Sequence, residues 1–228
     1  MRLSDRAKSL RSGNEAKCAA LKKDEEVSNL VAWENEPDLA ALRRAYDLIG
    51  RDGPSAIDDL QRLARRGSLM SMVYLGNIYR RGEADVPPDL TTAECWFRRA
   101  ADKGSLVALF HLSILYLNQK RYPEAEAALT DGSRRDYAPS AYWLARLYWH
   151  GPLDRRRPAE VVALLERAAN AGHIWANRDL GIGYLRGSFG LRPFRGLILL
   201  LRGAMAFLRE FQSDPKSQRL RRDGAWNE

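Results

Sequence analysis

The sequence predicts an all-α protein, a right-handed superhelical α-solenoid of about four to five helix pairs, and three observations carry that expectation. A first mark, a Leu followed by a small residue with a Tyr three positions on, recurs as Leu75-Gly76 with Tyr79, Leu112-Ser113 with Tyr116, Leu144-Ala145 with Tyr148, and Leu180-Gly181 with Tyr184. The Tyr positions stand 37, 32 and 36 residues apart. A second mark alternates with the first: an apolar segment, a small pair, and about four residues later a glycine or its substitute. It reads Trp96-Phe97 with Ala100-Ala101 and Gly104, Ala128-Leu129 with Gly132-Ser133 and Asp136, and Leu164-Leu165 with Ala168-Ala169 and Gly172. The third observation is compositional: Ala, Leu and Arg are favoured, β-branched residues are scarce, and Gly and Pro gather between apolar stretches, which suits helices joined by short turns.

Taken in order, the helices begin with a half-unit whose first helix is predicted to run from about Pro37 to Ile49 and whose second carries Leu60, Leu63-Ala64 and Gly67. Four marked first helices then follow around positions 76, 113, 145 and 181. A small residue there lets a neighbouring helix approach, while the Leu before it and the Tyr after it fill the space between helices. Glycines at 67, 104 and 172 suit the left-handed cap that ends a helix and turns the chain. No single pair can bury its apolar stripe, so neighbouring pairs must stack to make the core continuous.

The ends differ. Residues 1–26 are expected to be a charged leader, 27–211 the helical array, and 212–228 a polar basic tail. The most apolar window, Phe189 to Leu208, contains Arg192, Arg195, Arg202 and Pro193, and each central Arg costs roughly 2.5–3.5 kcal/mol on insertion, so a span across a bilayer is not expected. From Phe194 to Phe211 the segment reads as one helix with Arg195, Arg202 and Arg209 seven residues apart. It is expected to cap the array with its apolar side, with docking on a membrane interface or on a partner as the alternatives.

The segment SLMSMVYLGNIYRRGEADVPPDLTTAECWFRRAADKGSLVA resembles the Sel-1-like repeat, a relative of the tetratricopeptide repeat with Leu-Gly, Tyr, Gly, Asp, Ala and Ala-Ala marks in this order. The resemblance covers about residues 68 to 205. The second unit has NQKRYPEAEAAL in place of a Gly-rich loop and is closer to an ordinary tetratricopeptide repeat, and the fourth departs in its second helix, RPFRGLILLLRGAMAFL. The resemblance implies a non-catalytic scaffold or adaptor that binds a protein or peptide in the groove formed by the first helices. Counting three or four residues from the small positions places Val73, Asn77 and Arg80, then Phe110 and Ile114, then Tyr142, Arg146 and Trp149, then Arg178 on that face. Tyr, Trp and Arg are the types enriched at binding hot spots. The same aromatics also suit packing between neighbouring units.

Other chemistries find little support. His111, His150 and His173 are 39 and 23 residues apart with no metal-ligand spacing beside them, so no metal or other cofactor is expected. Glu124, Glu126, Glu160 and Glu166 fall where helix solubility and dipole matching explain them. Gly181-Ile182-Gly183 lies within a helical mark with no strand before it, unlike a phosphate-binding loop. An enzyme is therefore not expected, nor a small-molecule substrate. The net charge of +8 and a pI near 9.7 raise nucleic acid as a partner, but the predicted groove mixes aromatics and aliphatics with few cations. The basic bias is strongest from residue 186 onward, with nine Lys or Arg against four acids, where an anionic membrane surface is the alternative partner. A role as peripheral membrane adaptor of a bacterial polysaccharide or envelope assembly system is the corresponding second reading. Cys18 and Cys95 are not the pattern of a disulfide-stapled secreted domain, and no apolar leader of secretory length is evident, so a cytoplasmic location is expected, with the inner-membrane periphery as alternative.

Overall fold

The structure, a computed structural model, describes residues 36–152 and 158–213. The expected leader, Cys18 and the tail beyond residue 213 lie outside the described residues. Ten helices form among them, in five consecutive pairs: α1 (Leu39–Leu48) and α2 (Gly53–Arg65), α3 (Leu69–Arg81) and α4 (Leu90–Asp102), α5 (Leu106–Asn118) and α6 (Tyr122–Arg134), α7 (Ala138–His150) and α8 (Pro158–Asn170), α9 (Ile174–Leu185) and α10 (Pro193–Ser213). The chain divides into two compact units, one up to Leu115 and one from Tyr116, so the boundary falls within α5.

In the first unit α1 packs on α2, α2 on α3, and α3 on α4. The helices start where side chains can satisfy the orphan amides. Asp38, Asp52, Ser68 and Asp89 are N-caps whose side-chain oxygens accept from amides two or three residues ahead. The core holds Leu42, Leu60, Met72, Leu75, Ile78 and Phe97, each almost wholly buried. At the α3–α4 crossing a Cβ added at Gly76 would stand 2.5 Å from the Phe97 ring, so the missing side chain is the space the ring occupies. Cys95 is buried.

In the second unit α6 packs on α7, α7 on α8, α8 on α9, and α9 on α10. α7 is enclosed from Ser140 to Tyr148. The hydroxyl of Tyr148 donates to Glu126 Oε1 at 2.9 Å, and burial together with that acidic neighbour pushes the phenol up to about 12.

The second mark becomes one recurring turn. Gly67, Gly104 and Gly172 have φ of 97°, 94° and 84°, and Asp136 takes the same left-handed region at 57°. At each, the next residue's amide bonds to a carbonyl five back: Ser68 to Leu63, Ser105 to Ala100, Tyr137 to Gly132 and His173 to Ala168. This is the Schellman closure, which satisfies carbonyls the helix end would orphan. The α5–α6 connection, where a Gly-rich loop is missing, uses the same device with Lys120 at φ 58° and Arg121 N–H on Tyr116 O.

α10 is 21 residues long, against 10 to 13 for the others, and ends two residues beyond the expected Phe211. None of the described helices is long and apolar enough to cross a membrane. Its closest approach to α9 is made by small residues. Added Cβ atoms at Gly181 and Gly196 would each meet the other's carbonyl oxygen at 2.8 Å, and Gly203 lies against Asn177. Leu200 packs at Gly181 and Phe207 meets Trp175 edge to face, whereas another set of large apolar side chains is left outside: Phe194 is 84%, Ile198 64% and Met205 62% exposed. An apolar side of this helix, Leu199, Leu200 and Phe207 with the glycines, thus lies toward the last repeat, and the arginines at 195, 202 and 209 stay exposed; a second apolar side is left uncovered. Two glycines allow an approach so close that backbone meets backbone, with Leu200 and Phe207 packed beside the crossing.

Candidate protein-binding cleft

α7, α8 and α9 of the second unit, with the turn after α9, enclose a cleft of about 210 Å³. Arg146 and Trp149 from α7, Arg178, Asp179 and Arg186 from α9 and its end, and Phe189 from the turn line it. α7 positions its side of the cleft through stacked aromatics. The Tyr142 ring stacks on His173 at 4.1 Å, and its hydroxyl donates to Asp179 Oδ2 at 2.8 Å, tying α7 to α9. Arg146 carries its guanidinium 4.8 Å above the Trp143 ring, close enough for cation–π attraction. Arg178 lies 5.5 Å over Trp175 in the same manner.

Trp149 meets Phe189 edge to face at 4.9 Å. The Phe189 ring lies where a Cβ on Gly183 would be, 2.1 Å away, so Gly183 is needed to seat that wall of the cleft. The two glycines of the Gly-Ile-Gly run thus have separate packing reasons: Gly181 admits α10 and Gly183 admits Phe189.

Of the residues predicted on the groove face, Arg146, Trp149 and Arg178 converge here, and Tyr142 stands behind them at 1% exposure. Arg146 is itself 5% exposed, so it presents charge from within the wall. In the first unit Val73 and Phe110 are buried, while Ile114 is half-buried. Asn77 and Arg80 form a ladder along α3, with Asn77 Nδ2 donating to Val73 O at 3.2 Å and Arg80 Nη2 donating to Asn77 Oδ1 at 3.1 Å. His111 stacks on Phe97 at 5.4 Å, and burial, with Arg80 and Arg81 nearby, lowers its imidazole to about 4, so it is neutral at pH 7.

Asp179, Arg186 and Phe189 were missed by counting along the first helices. Asp179 is adjacent to Arg178 but belongs to no repeat mark, and Phe189 lies outside the helices. The one signal for Phe189 was the unexplained Gly183. With three arginines and one carboxylate already engaged by Tyr142, the cleft suits an anionic group on a ligand.

The Sel1 repeat model matches residues 69–105 and 138–173. Uncharacterized protein NMB1327 of Neisseria meningitidis serogroup B is 28% identical over 162 residues, covering 69% of this chain and 34% of the relative. Among solved structures, c5321, a protective antigen of uropathogenic Escherichia coli strains displaying an SLR fold, superposes with a TM-score of 0.62 at 18% identity, covering 79% of this chain and 42% of that one. A Sel1 repeat protein from Oxalobacter formigenes gives 0.60 at 22% identity, covering 76% and 54%. The chain thus spans between about a third and a half of the length of these proteins.

Proposed function

From the premise that this chain carries Sel1 repeats, a repeat class of protein-interaction scaffolds, we propose that it is a non-catalytic scaffold that takes an acidic segment of a partner protein in the α7–α9 cleft. The observation that carries the reading is the convergence of Arg146, Arg178 and Arg186 beside the half-exposed Trp149 in one concave site. Arginine and tryptophan are the residue types that concentrate binding energy, and an Arg fork held in a partly dry wall discriminates for carboxylates.

The test is capture of binding partners by the full chain, identified by mass spectrometry, beside the variants Trp149→Ala and Arg186→Glu. A partner using this cleft should lose about 2 kcal/mol or more of affinity with Trp149→Ala and respond to salt through Arg186. Partners held equally by the parent chain and both variants would sink the proposal.

A further inference from the structure

The outward face of α10 is a second surface, distinct from the cleft. Within the helix, Phe194, Ile198, Leu201, Met205 and Leu208 follow one another in steps of four, three, four and three residues. That is the alternation by which a helix keeps a single seam against a partner helix. All five are more than half exposed, and Leu197 and Phe211 broaden the strip at 53% and 49%.

From these exposures the strip amounts to roughly 700–800 Å², more than the largest patch of an ordinary monomer and close to what each partner contributes to a stable interface. The arginines of the helix are confined to one edge of the strip. Arg195, Arg202 and Arg209 each directly follow a seam residue, Phe194, Leu201 and Leu208, so all three line the same side. The other edge is Leu197, Ala204 and Phe211. Arg195 is held by Glu166 of α8 at 2.6 Å, which leaves Arg202 and Arg209 pointing along the strip's margin.

We infer that α10 is a self-association helix, and that two copies of this chain pair α10 against α10 in parallel about a twofold axis along the seam. The area matches half a dimer interface, and the orientation follows from charge. In a parallel pair the arginine edge of one helix faces the apolar edge of the other, so the arginine stems extend over Leu197, Ala204 and Phe211. In an antiparallel pair the two arginine edges meet each other, Arg202 against its own counterpart, and like charge opposes association. A helix lying on lipid carries its cations across the polar face, whereas Arg202 and Arg209 line one margin of the strip.

Analytical ultracentrifugation of the full chain over a concentration series should show a reversible monomer–dimer equilibrium. Leu201→Asp, at a site 57% exposed in the single copy, should leave the circular dichroism spectrum unchanged and raise the dimer dissociation constant about a hundredfold or more. Leu208→Cys, near one end of the seam, should cross-link to its own counterpart under mild oxidation while the parent chain does not. A chain that is monomeric at every concentration would overturn the inference, as would one that binds anionic vesicles through this helix as a monomer. A dimer broken by Leu201→Asp but without the Leu208→Cys cross-link would overturn the parallel arrangement.

Discussion

The α3–α4 and α9–α10 crossings stand at the same point of the repeat and solve it differently. At Gly76 the neighbour is a phenyl ring, Phe97, which fills the notch and is itself wholly buried. At Gly181 the neighbour is backbone, the carbonyl of Gly196, with Leu200 beside it. A ring in a notch uses the apolar side of the second helix for the core. A glycine-to-glycine approach brings backbone against backbone and leaves a second apolar side of α10 uncovered. The small position sets how near two helices come, and the residue opposite it sets which face is left over.

The comparison can be broken most severely at its second member. Gly181→Leu places a side chain against a carbonyl that cannot rotate away, and should cost about 3 kcal/mol, at the upper end of ordinary overpacking. Chemical denaturation would measure it, and an unchanged midpoint would mean that α9 and α10 do not cross at this glycine. Gly76→Ala meets a side chain that can give, so about 1–3 kcal/mol is expected, partly restored by Phe97→Leu in a double-mutant cycle. Failure of that second change to restore stability would separate Gly76 from Phe97.

The smallest effect at neutral pH belongs to His111, which stacks on the same Phe97. Its imidazole is lowered from 6.5 to about 4 in the folded chain. The unfolded chain therefore binds a proton between those values that the folded chain does not, and stability falls as pH drops through that window. His111→Phe should be near neutral at pH 7 and remove about 1–2 kcal/mol of acid destabilisation by pH 5. Parallel stability–pH curves for parent and variant would show that the histidine titrates normally.

Legibility followed the locality of the cause. The caps were readable because a left-handed residue leaves a sign in the sequence: Gly67, Gly104 and Gly172 are glycines, and all three have positive φ. Lys120 takes the same conformation without that sign, and nothing along the chain marks it. In the cleft, Arg146, Trp149 and Arg178 share a helical period and were readable together, whereas Phe189 is brought in by a turn whose course depends on α9 having Gly183 beneath it.

By itself the sequence determined the helices, their pairing and the glycine-marked turns at 67, 104 and 172, because periodicity, small residues and left-handed glycines act over one or two helical turns. Tertiary structure alone decided which face of α10 is spent on α9. Both faces are apolar enough to be buried, so composition could not choose between them. The choice rests on distance: two glycines from different helices remove the side chains that would hold the backbones apart, and the closest packing then goes to the smaller face.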